Sequence, residues 1–297
     1  MQIVFLGTSS MVPTKERNHS SIYLNHKGYG FLLDCGEGTQ RQIKYAGIRP
    51  SNIDFLLISH WHGDHVLGIP GLMQTLGNIG YEKTLRIFGP KGTERYMEKI
   101  FSFFSTECKV KYSVKEIGED TKIIDNKELQ VNAYRLEHGI SCFGYVFKEK
   151  DKRRINKRFI ESKGIDEGPH LGKLQRGESI TWKGETIRPS DATYKVKGKK
   201  AAFIFDTKIT DNCYKIAEDA DVLISEATFS SKMKETATQY KHLTSTDVGM
   251  IAKESRAKKV ILTHFSQRYK KPDELLKETR KEFKDVEAAY DLMKITI

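Results

Sequence analysis

The pattern of apolar and polar positions divides most of the chain into short apolar runs and stretches with helical spacing. Short runs of apolar and β-branched residues that end at turn residues are typical of buried strands. By this criterion the sequence predicts strands at residues 2–6, 21–25, 30–34, 53–58, 85–88, 128–136, 142–147, 201–205, 222–224 and 260–263. Apolar residues at helical intervals predict helices at residues 66–76, 93–104, 244–253 and 272–283, with a further helix through Gln42 and Ile43.

Several predicted strands end at a polar residue that could take part in chemistry. These strand-end residues are His60, His138, Asp206, Glu226 and His264. Polar side chains at successive strand ends are expected where ligands bind at the edge of two packed sheets.

The densest group of such residues follows the apolar run at 53–58. Four potential metal ligands, His60, His62, Asp64 and His65, lie within six residues there. Gly63 permits the tight turn that would bring the first two histidines toward one point. Three histidines and a carboxylate without partners would resist burial, so a purely structural role is disfavoured. The stretch indicates a metal site, and two metal ions suit it better than one.

Three later residues could complete such a site. Asp206 follows a buried strand directly, and although alone it could be an ordinary cap, beside the histidines it is a candidate bridging ligand. His138 and His264 each follow a strand, and together they complete the ligand count that two zinc ions need. Zinc is the expected metal because imidazole ligands dominate, with manganese and iron as alternatives.

Composition narrows the class of protein. The 297 residues allow one large domain or two modest ones. No stretch approaches the length of a transmembrane helix, and the first residues lack a signal peptide's pattern. The four cysteines, Cys35, Cys108, Cys142 and Cys213, are scattered without a Cys-x-x-Cys pair, so neither a disulfide framework nor a zinc ribbon is indicated. We therefore expect a cytoplasmic protein without a membrane partner.

The charge pattern points to a polyanionic partner. The formal net charge is +11, and cations dominate residues 148–163 before a glycine-rich stretch. We interpret residues 148–180 as an inserted basic arm that projects from the domain and has no separate core. The alternative is a merely solvated charged loop.

The spacing His-x-His-x-Asp-His at residues 60–65 resembles the metallo-β-lactamase superfamily, which implies an α/β fold, the αββα sandwich, over a single domain at 1–297. Further motifs resemble the tRNase Z (ribonuclease Z) family in its short form and recur in order from residue 3 to residue 269. They are Phe-Leu-Gly-Thr-Ser-Ser, Pro-x-Lys-x-Arg-Asn, Asp-Cys-Gly-Glu-Gly-Thr-Gln, His138 with Gly144-Tyr145, Gly-Pro-x-x-Gly-Lys-Leu-x-x-Gly, Ser-Glu-Ala-Thr-Phe and His-Phe-Ser-Gln-Arg-Tyr.

The resemblance implies a role for each candidate residue. Two zinc ions per subunit would be held by two groups joined by a bridging Asp206, one group being His60, His62 and His138 and the other Asp64, His65 and His264. Asp64 would also orient or deprotonate the attacking water. Glu226 would hold His242, which would protonate the departing oxygen.

The resemblance also implies an activity and partners. The chain would be an endoribonuclease that removes the 3′ trailer from precursor tRNA, leaving a tRNA 3′-hydroxyl and a 5′-phosphate on the trailer. The basic arm at 148–180 would be a flexible tRNA-binding exosite. In a homodimer, the arm of one subunit would serve the active site of the other.

Three positions depart from the family pattern without removing a ligand, namely Trp61, Phe205 and Ser225. Three further histidines are expected to be ordinary surface residues, namely His19, His26 and His170.

Competing functions remain open on the sequence alone. A small-molecule hydrolase of the same fold, such as a sulfatase or cyclic phosphodiesterase, would not need the basic arm. An mRNA 3′-end nuclease would need an extra domain, and the segment between Asp206 and His264 is too short to hold one. A non-catalytic RNA-binding protein with structural zinc would not need Asp64 and His242.

Overall fold

A computed structural model describes residues 1–102, 104–105 and 108–297. The strands are β1 (Gln2–Gly7), β2 (Ser21–His26), β3 (Tyr29–Leu33), β4 (Phe55–Leu57), β5 (Leu85–Pro90), β6 (Tyr112–Ile117), β7 (Thr121–Asp125), β8 (Leu129–Glu137), β9 (Ser141–Glu149), β10 (Lys152–Ile155), β11 (Ile180–Trp182), β12 (Glu185–Ile187), β13 (Thr193–Val196), β14 (Lys200–Ile204), β15 (Val222–Glu226), β16 (Val260–Thr263), β17 (Val286–Ala288) and β18 (Lys294–Thr296). The helices are α1 (Thr39–Tyr45), α2 (Gly63–Val66), α3 (Ile69–Asn78), α4 (Thr93–Ser102), α5 (Lys157–Ser162), α6 (Pro169–Arg176), α7 (Pro189–Ala192), α8 (Asp211–Ala217), α9 (Lys234–Tyr240), α10 (Ser245–Glu254) and α11 (Asp273–Glu282).

Two mixed sheets form the centre of the described structure. The first has the strand order β18-β1-β2-β3-β4-β5-β6, and the second has the order β17-β16-β15-β14-β9-β8-β7. In each sheet one part is antiparallel and the other, β3 to β6 or β14 to β17, is parallel. Parallel strands end at the same edge of a sheet, which is where a site made from several strand ends can form.

Aromatic side chains fill the space between the sheets. Phe31 of the first sheet stacks on Phe55, with ring centroids 4.6 Å apart. It also contacts Phe147 of the second sheet edge-on at 5.0 Å. All three rings belong to one buried apolar cluster that spans both sheets. Because side chains alternate across a strand, Leu32 and Leu56 point to the outer face instead.

Helices cover the outer faces of both sheets. Leu72 and Leu76 of α3 pack with Leu32 and Leu56 on the first sheet. On the second sheet α8, α10 and α11 contribute their buried residues to the core. The layers therefore run helix, sheet, sheet, helix, and the predicted αββα fold is confirmed.

The element boundaries differ from prediction for identifiable reasons. The apolar run at 53–58 pairs as a strand only over Phe55–Leu57. The predicted helix at 66–76 is divided into α2 and α3, and α3 starts next to Gly68 and Pro70. Residue 103 of the predicted helix 93–104 lies outside the described residues, and α4 ends at Ser102. Strands β6 and β7 were not predicted, because they are edge strands whose exposed, charged positions weaken the apolar signal.

The chain leaves the second sheet after β9 and returns to it at β14. Between them, β10 to β13 and α5 to α7 form a small unit, here called the insertion (residues 150–199). We expected no separate core at 148–180, but the insertion has its own buried apolar cluster, composed of Ile160, Ile165, Leu174, Ile180, Ile187 and Ala192. The excursion also extends past residue 180 to Val196. Cations between these apolar residues hide the pattern in the sequence.

The insertion and the predicted ligands lie at opposite ends of β14. Lys148 pairs with Lys200 at the start of that strand, where the insertion is rooted. Asp206 follows the other end. None of the helices in the described part of the chain is long and apolar enough to cross a membrane.

Candidate metal and catalytic site

The structure brings all seven predicted metal ligands to one edge of the two sheets. His60, His62, His138 and Asp206 form one group whose ligand atoms lie within 4.8 Å of one another. His62 Nδ1 is 3.1 Å from His60 Nε2 and 3.1 Å from His138 Nε2. Asp206 Oδ2 is 3.7 Å from His60 Nε2 and 3.9 Å from His138 Nε2. Three imidazoles and a carboxylate oxygen therefore converge on one point.

The second group contains Asp64, His65 and His264. The Nε2 atoms of the two histidines are 3.2 Å apart, and His264 Nε2 is 3.3 Å from Asp64 Oδ2. Asp206 also contacts this group, through Oδ2 at 3.6 Å from His65 Nε2 and through Oδ1 at 3.4 Å from His264 Nε2. Asp206 thus lies between the two groups, where a bridging ligand would be placed.

Unsatisfied buried atoms indicate what the groups would bind. Asp64 Oδ1 and Asp206 Oδ1 are buried without a hydrogen-bond partner among the described residues. Leaving such oxygens unpaired is costly, and a cation would satisfy them. Nitrogen and carboxylate ligands in this number fit zinc chemistry. The fold and these groups support metal binding.

The electrostatics of the two groups favour a neutral His60 and stabilise positive charge beside His65. Burial and the neighbouring His65 hold the pKa of His60 well below its ordinary value, which suits a neutral metal ligand. Burial also opposes protonation of His65, but Asp64, Asp206 and Asp34 outweigh it and raise its pKa well above the ordinary value. Three carboxylates therefore create a place where positive charge is stabilised.

Asp34 positions the ligands from behind and was not predicted as a site residue. It is fully buried, and its Oδ2 is 2.6 Å from His65 Nδ1. The same carboxylate accepts hydrogen bonds from the Ser59 amide and hydroxyl, both at 2.7 Å. Ser59 Oγ in turn lies 2.9 Å from His60 Nδ1. One carboxylate therefore orients a ligand of each group.

Two other ligands are oriented by groups that lie next to His242, namely the Lys241 carbonyl and the Thr228 hydroxyl. His138 Nδ1 is 3.1 Å from the carbonyl oxygen of Lys241. His264 Nδ1 is 2.9 Å from Thr228 Oγ1. Lys241 has a φ of 55° and His264 a φ of 59°, both in the left-handed region that non-glycine residues rarely adopt. Backbone strain of this kind concentrates at functional sites.

Glu226 and His242 form the predicted pair. His242 Nδ1 is 3.0 Å from Glu226 Oε1 and 3.1 Å from Oε2. Glu226 is buried and also accepts hydrogen bonds from Thr207 N, Leu243 N and Thr228 Oγ1. Burial alone would lower the pKa of His242, but the charge and hydrogen bond of Glu226 raise it to about 9. The imidazolium form is therefore stabilised.

His242 also lies close to the metal ligands. Its Nδ1 is 4.0 Å from Asp206 Oδ2, and with Asp206 and His264 it could itself form a cation-binding group. The bond to Glu226 occupies Nδ1 and argues for a different role. A cavity of about 470 Å³ opens over the site. It is lined by His62, Asp64, His138, Asp206, His242 and His264, and also by Met11, Phe229, Tyr240 and Arg268.

Comparisons with known proteins identify the family. The chain is 39% identical to ribonuclease Z of Nanoarchaeum equitans over 267 residues, which is 90% of this chain and 84% of that protein. It is 38% identical to ribonuclease Z of Bacillus cereus over 301 residues, which is 98% of both chains. The chain belongs to the ribonuclease Z family. A family profile described as anti-Pycsar protein Apyc1 also matches residues 1–101.

Solved structures agree with this membership. The crystal structure of human tRNase Z, short form, aligns with a TM-score of 0.75 at 27% identity, covering 100% of this chain and 99% of that one. The metallo-β-lactamase fold protein YhfI from Bacillus subtilis aligns with a TM-score of 0.71 at 19% identity, covering 99% and 98%, and supports the fold alone.

The departures from the ribonuclease Z pattern are accommodated in the structure. Trp61 donates from Nε1 to Thr93 Oγ1 at 2.9 Å. Phe205 is buried, with its ring 6.5 Å from that of His65, and Ser225 is buried within β15. Each departure therefore packs beside the site without displacing a ligand.

The expectation that His19 and His26 are surface residues was wrong. They are only 5% and 4% exposed. The ring of His19 contacts the carbonyl oxygen of Met11 at 3.1 Å, and His26 Nδ1 is 3.3 Å from Glu149. Their burial depends on long-range packing that the local sequence does not reveal. His170 is half-buried beside Trp182, with ring centroids 4.9 Å apart.

Proposed function

We propose that the chain is a zinc-dependent endoribonuclease that removes the 3′ trailer from precursor tRNA. The observation that carries the proposal is identity of 38–39% to ribonuclease Z proteins over nearly the whole chain. The convergent ligand groups and the adjacent Glu226–His242 pair supply groups that phosphodiester hydrolysis needs.

In this proposal two zinc ions bind per subunit. His60, His62 and His138 would hold one, Asp64, His65 and His264 the other, and Asp206 would bridge them. When bound, such a pair binds the phosphate and lowers the pKa of the attacking water. The two unpartnered buried carboxylate oxygens support this assignment.

The chain's own groups would move the protons. Asp64 lies in the cavity with one unpartnered oxygen and would accept a proton from the attacking water. His242, held by Glu226 and stabilised as imidazolium, would give a proton to the departing 3′ oxygen of the tRNA. The products would be a tRNA 3′-hydroxyl and a trailer with a 5′-phosphate.

The insertion would supply affinity for the tRNA body. Its exposed cations include Lys152, Arg154, Lys157 and Arg158. Phosphate contacts by such residues give affinity without reading bases, which suits an enzyme that handles many tRNAs of one shape. The insertion is rooted at the end of β14 opposite to Asp206. This placement supports a homodimer in which the insertion of one subunit serves the site of the other. As a separate part of the proposal, the enzyme is cytoplasmic.

End-labelled precursor tRNA tests the proposal directly. The protein should release one trailer fragment, lose activity with a chelator and regain it with zinc. Asp285→Ala, which removes an exposed carboxylate away from the site, should behave as the parent. Cleavage of small phosphodiesters without cleavage of precursor tRNA would contradict the proposal and favour a small-molecule hydrolase.

A further inference from the structure

A second cleft adjoins the metal-site cavity. It is open, has a volume of about 710 Å³ and lies between the end of β8 and the start of α8. His138, Gly139 and Lys241 line both the cleft and the cavity. A polymer bound at the metal site could therefore continue into the cleft without leaving the protein surface.

Three cations line this cleft. Arg135 and Lys215 are exposed, and with Lys241 they form no ion pair within the ranges that the structure describes. Asn212 connects two of them, because its Nδ2 donates to the Arg135 carbonyl at 2.8 Å and its Oδ1 accepts from Lys215 Nζ at 3.0 Å. Arg135 and Lys215 are therefore neighbours in the cleft lining, and their charges are not neutralised by an acid among the described residues.

Most of the nearby acids are already engaged. Lys208 Nζ binds Glu137 at 2.6 Å. Asp120 accepts from the Arg135 amide at 2.7 Å and from Asn212 at 3.0 Å. Asp211 is the remaining carboxylate of the lining. The three cations of the lining outnumber its two carboxylates, one of which is paired with Lys208, so the cleft presents excess positive charge. Ile140 and Ile209, which are 39% and 38% exposed, lie beside it.

The part of the metal-site cavity around Phe229 has a different character. Phe229 lies there beneath the guanidinium of Arg268, 5.7 Å from the ring centroid, together with the exposed apolar Met11 and Val12. An aromatic surface suits a base held in a defined position. A trailer of arbitrary sequence needs charge and open space instead, because only its phosphates are constant. The aromatic part of the cavity and the basic cleft thus fit the two ends of a substrate that is cut at the metal site.

We propose that this cleft binds the single-stranded 3′ trailer, with Arg135 and Lys215 contacting its phosphates. The inference rests on the proposed tRNA-processing function and extends it. Binding there would be independent of trailer sequence and would depend on trailer length and on salt.

The double variant Arg135→Ala/Lys215→Ala tests this proposal on two precursor tRNAs. One carries a single-nucleotide trailer, and the other a trailer of about ten nucleotides, within the range that single-strand grooves span. For the long trailer, KM should rise about tenfold with kcat unchanged, and the salt dependence of affinity should flatten by about 1.4 in the log–log slope for two lost phosphate contacts. For the single-nucleotide trailer, KM should change little.

The matched control is Lys277→Ala/Lys281→Ala, which removes the same charge from the exposed side of α11. It should leave both substrates unchanged. Equal losses on both trailer lengths would overturn the proposal, since the cleft would then bind the tRNA body. No loss on either would also overturn it. If the unaltered protein cleaved neither substrate, the proposed tRNA-processing function itself would fail, and the trailer proposal with it.

Discussion

The metal site and the insertion both concentrate titratable side chains, but they differ in residue type and in burial. At the metal site, His60 and His65 are fully buried, and each makes a further hydrogen bond that fixes its ring. In the insertion, Lys152, Arg154 and Lys157 are exposed on a small unit with its own core. One region restricts side-chain geometry, and the other exposes charged side chains to solvent.

The difference follows from what each region would bind. A small cation requires several ligand atoms at fixed distances, so the residues behind them must be ordered too. A phosphate backbone is long and uniformly charged, so affinity grows with the number of cations rather than with their exact placement. Changes at the metal site should therefore affect metal content and rate, and changes in the insertion should affect affinity and salt dependence.

The largest effect is expected for Asp206, which contacts both ligand groups. Asp206→Ala should reduce cleavage by more than about 10³-fold, because several kilocalories per mole of charge stabilisation disappear with the bridge. Elemental analysis should find fewer than two zinc ions per chain. An Asp206→Ala protein with normal rate and normal zinc content would remove the bridging role.

His242 should affect the rate without affecting metal content, despite its closeness to Asp206. His242→Ala should keep its zinc and lose about 10²–10⁴-fold in rate on RNA, as expected for a missing general acid. The loss should shrink on a nitrophenyl phosphodiester, whose leaving group needs no proton. A drop in zinc content would instead place His242 among the ligands, and equal losses on both substrates would indicate a positioning role.

Removing the insertion tests the other side of the comparison. β9 and β14 are antiparallel neighbours, and the Glu149 amide donates to the Lys199 carbonyl. A short Gly-Ser turn can therefore replace residues 151–197 and close a hairpin. Zinc content and hydrolysis of a small phosphodiester should be unchanged. Binding of precursor tRNA should weaken on the order of 10²-fold with a flatter salt dependence, because fewer counterions are released.

Replacing the insertion can also contradict this contrast between the two regions. If precursor tRNA cleavage survives the replacement, the cations of the insertion are only solvated surface. If zinc is lost, the insertion supports the metal site across the length of β14, and the two regions are not independent. Size-exclusion chromatography of both proteins would show whether the proposed dimer also depends on the insertion.

The candidate ligands could be identified from the sequence because their spacing and strand-end positions are local features. The αββα fold was predicted through the resemblance of that spacing to the metallo-β-lactamase superfamily. The sequence did not reveal the residues that orient the ligands. Asp34 is 31 positions from the His65 ring that it contacts, and although it begins the Asp-Cys-Gly-Glu-Gly-Thr-Gln motif, its spacing gave it no role as a ligand or as a residue that orients one. The core of the insertion was missed for a related reason, since isolated apolar residues such as Ile160 and Leu174 stand among charged neighbours.

A smaller effect, on zinc affinity, is expected when Asp34 is changed. Asp34→Asn keeps the size of the side chain but replaces a carboxylate oxygen that accepts from Ser59 and contacts His65 Nδ1. Zinc affinity should fall about 10–100-fold, as for other residues that orient ligands. Competition with a chelator of known affinity measures the change. Asp54→Asn is the control and should leave zinc affinity unchanged, because Asp54 lies before the start of β4 and its carboxylate binds Lys83 and the Gly30 amide.

The smallest expected effect concerns the backbone of Lys241. Its carbonyl contacts His138 Nδ1, and the residue adopts a φ of 55°, which glycine tolerates and β-branched residues resist. Lys241→Gly and Lys241→Val both remove the ammonium group, so a difference between them reports the backbone. Zinc affinity should be up to about tenfold lower in Lys241→Val than in Lys241→Gly. Equal affinities would mean that His138 is held without this carbonyl, and any loss common to both variants would belong to the side chain.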